Sequence, residues 1–115
     1  MNQTLLPTRP AATHTTELSA ASIGGQDFLY TLPNHARPAR LRPESVSLRY
    51  VSADGIHFDL VSITVVARFV RKDGTVNPGR TPFEVGYFAP FRTGSWAPEW
   101  LSALAVRSTR LRRPA

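Results

Sequence analysis

The chain contains no cysteine, which excludes a disulfide-stapled scaffold, a zinc ribbon and a thiol nucleophile. It also lacks a long apolar run. The first 25 residues offer only the pair Leu5-Leu6, broken at once by Pro7. A secretory core needs about 7–15 apolar residues in succession. A cytoplasmic protein without a membrane partner is therefore the expectation. Catalytic signatures are equally scarce. There is no G-x-S-x-G elbow and no phosphate-cradling glycine loop. With three histidines in all, His14, His35 and His57, a metal site of three or four ligands has little to draw on.

What the sequence does hold is proline and glycine, ten and seven respectively in 115 residues, with the prolines gathered outside the middle. A hydrophobic share of 42% with 19% charged residues fits one globular domain carrying polar tails. The net charge of +6 would suggest a basic surface, but it is unevenly spread. Residues 1–44 hold four arginines against three acids, and residues 45–106 hold six basic residues against five acids. Residues 107–115 hold four arginines and no acid. The basic character thus belongs to a C-terminal tail.

Three parts follow. Residues 1–44, rich in Thr, Ala, Ser and Pro with no sustained period, are expected to be mostly disordered, since each proline removes a donor and disfavours helix before it. One apolar run within them, residues 27–32, reads as a strand that docks on the domain that follows, or else as a linear motif that binds another molecule. Residues 45–106 are expected to form that domain. Val46, Leu48 and Tyr50 alternate with polar residues, as do Ile56, Phe58 and Leu60 after the Asp54-Gly55 turn. The apolar phase then slips to Val61, Ile63, Val65, Ala67 and Phe69, which calls for a bulge or a break near Leu60–Val61. A return strand spans about Thr81–Phe88, starting or lying at a sheet edge because of Pro82. Pro98 then opens a helix whose apolar arc holds Trp100, Leu101, Leu104, Ala105 and Leu111. The fold class expected is α+β: an antiparallel sheet of about three to four strands packed against one C-terminal amphipathic helix.

Candidate functional residues are few. His57 and Asp59, two apart on a strand, share a face, but a solvated polar face is the simpler reading. Ser95 opens a helix rather than a catalytic elbow. Trp96 and Trp100, four apart, suit a staple across the helix start. The tail arginines Arg107, Arg110, Arg112 and Arg113 could grip phosphates, with affinity falling about a hundredfold between about 50 and 200 mM salt if all four engaged. Val51, Val66, Val70 and Phe88 fall on the face away from the core. A small sheet with two edges and apolar residues on both faces asks for a cover, so Val66, Val70 and Phe88 are candidate partner-docking residues. The sequence therefore reads as a non-catalytic interaction or accessory protein that self-associates or docks through its sheet. The alternative is weak, sequence-nonspecific nucleic-acid binding through the tail. No enzyme activity, cofactor, metal or small-molecule substrate is expected.

Overall fold

The computed structural model describes residues 12–92 and 95–112. Six strands form one antiparallel sheet: β1 (Ala12–Ser19), β2 (Phe28–Tyr30), β3 (Ala39–Ser52), β4 (His57–Phe69), β5 (Phe83–Phe88) and β6 (Arg110–Arg112). Among the described residues a single α-helix, α1 (Glu99–Arg107), lies between β5 and β6 in the chain. Two long strands make the centre. β3 has 14 residues and β4 has 13. They are joined by a turn in which Gly55 takes φ +77°, a conformation that strains any residue with a Cβ. The Asp54 carboxylate accepts from the amides of Ile56 and His57, both at 2.8 Å, and from the Ser52 hydroxyl. One side chain thereby organises the hairpin.

Each flank of this hairpin is shared by two short strands laid end to end. β1 pairs with residues 45–52 of β3, and β2 pairs with residues 39–41 of the same strand. On the other side β5 pairs with residues 62–67 of β4 and β6 with residues 57–59. The β3–β4 register skips one residue twice. Leu60 pairs with Tyr50 and Ser62 with Arg49, leaving Val61 as the extra residue. Likewise Glu44 is left between Pro43 and Ser45. The Val61 bulge resets the side-chain alternation of β4, so Phe58, Leu60, Ile63, Val65, Ala67 and Phe69 face the same core, and the Glu44 bulge does the same for Leu41 and Val46 of β3.

That core occupies one face of the sheet. Leu41, Val46, Ile63, Val65 and Leu101 are wholly inaccessible. α1 lies over it through Leu101, Leu104 and Ala105, while Val106 stays 77% exposed. An aromatic layer closes the end nearer β2. Trp96 meets Phe28, Tyr30 and Tyr87 at ring distances of 5.3–5.9 Å, and the Trp100 indole donates to the Gln26 carbonyl at 3.0 Å. Trp96 and Trp100 thus pin the helix start to the β2 segment.

The expected fold class needs correction. The protein is mostly sheet, with six strands rather than three or four and a helix of only nine residues. The N-terminal segment expected to be mostly disordered supplies β1 and the start of β3 from Ala12 onward, and β2, within the apolar run 27–32, pairs with β3. Residues 1–11 lie outside the described residues. The helix also ends earlier than its apolar arc suggests. The Thr109 hydroxyl donates to the carbonyls of Ala105 and Val106, and the chain leaves as β6. Leu111 therefore reaches the core from a strand. No helix among the described residues is long and apolar enough to cross a membrane.

Candidate functional site

The sheet face opposite α1 is built from rows of four side chains set by the register. One row runs Glu17, Ser47, Thr64, Gly86; the next runs Thr15, Arg49, Ser62, Phe88; a third runs Ser19, Ser45, Val66, Glu84. The face is dominated by small hydroxyl residues. Val66 and Val70 are half-buried, and Phe88 is 66% exposed. They do not come together: Val66 sits between Ser45 and Glu84, and Val70 forms a bridge to Val76. Phe88 folds its ring over Gly86, where a Cβ would lie only 2.6 Å from the ring. The ring thus shields bare backbone on an edge strand. Val51 stands between Thr13 and Asp59.

The two sheet edges differ. β5 has six residues, follows Pro82 and is soon followed by Pro90, whose peptide bond to Ala89 is cis. β1 has eight residues, contains neither proline nor lysine, and carries one formal charge, at Glu17. Its side away from β3 pairs with no strand among the described residues. His14, on the core side of β1, bonds Thr16 at 3.1 Å and lies near the rings of Tyr50 and Phe58.

Of the tail arginines, Arg107 ends α1, and Arg110 and Arg112 belong to β6, opposite Asp59 and His57. All three are exposed and make no ion pair among the described residues. Arg113 lies outside the described residues. His57 and Asp59 line one hollow of about 520 Å³ together with Arg110 and Arg112. The His57 Nδ1 atom is 2.8 Å from Asp54, and Asp59 is paired in register with Arg110. Bonding to His57, followed by the amides of His57 and Ile56, holds the Asp54 carboxyl far below its ordinary value. Among the described residues no three His, Asp or Glu side chains gather as a metal site would require. Ser95 bonds the Ala97 amide at 3.3 Å, a turn contact at the approach to α1.

A concave region absent from the sequence expectations lies at the far end of the hairpin. Pro38 to Arg40, Phe69 to Lys72, Asn77 and Arg80 line a cleft of about 390 Å³. Arg40 is steered by Asp27, at 2.8 Å, and the same carboxylate holds Arg42. The Arg42 guanidinium also donates to the Gly74 carbonyl at 3.2 Å, tying the 70–79 loop to β3. The Arg80 guanidinium sits 3.6 Å from the centre of the Phe69 ring. The sequence carried a weak sign of this cleft in Arg71-Lys72 before a turn, but the partners from residues 38–40 and 80 are joined to it only by pairing.

Comparison with protein-family models, with curated proteins and with solved structures finds no match.

Proposed function

We propose that this protein is a small non-catalytic interaction or accessory protein that self-associates through its sheet, with β1 pairing to β1 of a second copy. The observation that carries the reading is an edge that, among the described residues, nothing guards. β1 offers a row of backbone donors and acceptors eight residues long. It has none of the prolines or lysines with which sheet proteins blunt such an edge. A two-fold axis would run the two strands antiparallel and continue the sheet across both subunits. The outer face, with its hydroxyl rows, supports edge pairing better than face-to-face packing, because Val66, Val70 and Phe88 form no continuous apolar patch.

Sedimentation across a dilution series tests this. A dimer is expected, and Thr15→Lys should weaken its association by about tenfold or more, because lysines near the axis repel and block strand addition. Thr15 is exposed, so the subunit itself should fold normally. A monomer at every concentration, or a dimer indifferent to Thr15→Lys, would sink the proposal.

A second reading, weak nucleic-acid binding, draws on Arg107, Arg110 and Arg112, which are exposed and make no ion pair among the described residues. Three phosphate contacts predict a log–log salt slope of about −2.7 with duplex DNA. Absence of binding at low salt disposes of it.

A further inference from the structure

The geometry points to the cleft between Arg40 and Arg80 as a binding site for a small ligand bearing a phosphate or diphosphate group. Four cations, Arg40, Arg71, Lys72 and Arg80, line one hollow whose lining contains no acid. Gathering like charges in this way opposes folding unless something anionic joins them. Of this charge, Arg40 is partly answered by Asp27, and Asp73 lies near enough to Arg71 to feel its charge, but neither carboxylate ion-pairs with Lys72 or Arg80. Asp27 is held between Arg40 and Arg42. Asp73 turns into its own loop, accepting from the Thr75 amide at 3.0 Å and its hydroxyl at 2.6 Å. Among the described residues, Arg71, Lys72 and Arg80 have no carboxylate oxygen within ion-pair distance.

Two of the cations are also pre-set. Stacking on Phe69 restricts Arg80, and bonding to Asp27 restricts Arg40, so less side-chain freedom is lost when an anion arrives. Arginine forks match phosphate oxygens in pairs, and lysine adds a compact charge. The Asn77 side-chain Oδ1 accepts from the Gly79 amide at 3.1 Å, which turns its NH2 into a further donor for the cleft. Shape favours a small ligand over a polymer. A surface that tracks a nucleic-acid backbone spreads its cations along a groove, whereas these surround one hollow of about 390 Å³, within the range of small-molecule sites. Arg110 and Arg112 lie at the opposite end of β4, and do not extend the cleft into a track.

Titration calorimetry at about 50 mM salt, with inorganic pyrophosphate, ADP, adenosine and a short single-stranded oligonucleotide, tests the assignment. Pyrophosphate and ADP should bind and adenosine should not. The double variant Arg71→Gln/Lys72→Gln should weaken both by about tenfold or more, as loss of charge-assisted hydrogen bonds implies. Arg80→Gln should weaken them independently, while Arg49→Gln on the outer face should leave them unchanged. Arg71, Lys72 and Arg80 are all exposed, and circular dichroism verifies that each variant keeps its sheet. No heat with either phosphate ligand, or binding untouched by the double variant, overturns the site. An oligonucleotide that binds more tightly than ADP and is lost in the same variant overturns its assignment to small ligands. The site does not depend on the self-association proposed above.

Discussion

Asp27 joins three stretches of chain through one carboxylate. It precedes β2, takes Arg40 and Arg42 from β3, and through Arg42 reaches the Gly74 carbonyl of the 70–79 loop. Hydrogen bonding from Arg42 is the largest influence on its carboxyl. It outweighs the opposing effect of burial, and the acid is held below its ordinary value of about 3.8. An acid whose folded value is depressed stabilises the fold above its unfolded value, and that contribution disappears as the pH falls through the lower, folded one. We therefore expect Asp27→Asn to lower stability by about 1–2 kcal/mol at neutral pH, a charged-pair figure discounted for the partly exposed arginines. Urea unfolding at several pH values checks this. The gap between variant and parent should narrow as the pH drops below about 4. A gap of constant size down to strongly acidic solution would show that the carboxylate charge is not what matters.

At the level of elements, α1 buries little but buries it completely. Leu101 and Leu104 are 0% and 2% exposed. Removing either side chain leaves a hollow between helix and sheet that rigid strands cannot fill. Leu104→Ala should cost about 2–5 kcal/mol, the range for buried leucines. Thermal or denaturant unfolding measures it, and a cost under about 1 kcal/mol would mean that the helix is only loosely seated. Elements like this were legible because their apolar periodicity is strong. β3, β4 and β5 alternate clearly, and the slip at Val61 marked a bulge that the register contains. β1 was hidden because its core-side positions are His14, Thr16 and Leu18, so it shows almost no hydrophobic alternation. Its threonines suit a strand, and that propensity was the one local sign. β2 and β6 have three residues each, too short for a period. Of the candidate surfaces, the tail arginines could be named from sequence. Only pairing, however, brings Arg40 beside Arg71 and Arg80.

For the molecule as a whole, the two proposals occupy separate regions. β1 flanks residues 45–52 of β3, whereas the cleft uses the opposite end of that strand, around Pro38–Arg40. A dimer built through β1 leaves both clefts open, so either proposal can fail without the other. The paired short strands along each flank also set an order of assembly. The β3–β4 hairpin closes through a short turn, but β1 first meets β3 where Ser19 faces Ser45, and β6 first meets β4 where Arg110 faces Asp59. Loop-closure entropy delays such distant pairings. The hairpin therefore forms while Leu48, Ile63 and Val65, all buried in the finished core, still lack α1 above them. For that interval two long central strands are edges themselves, and the growing fold is most open to joining the wrong chain before its borders arrive.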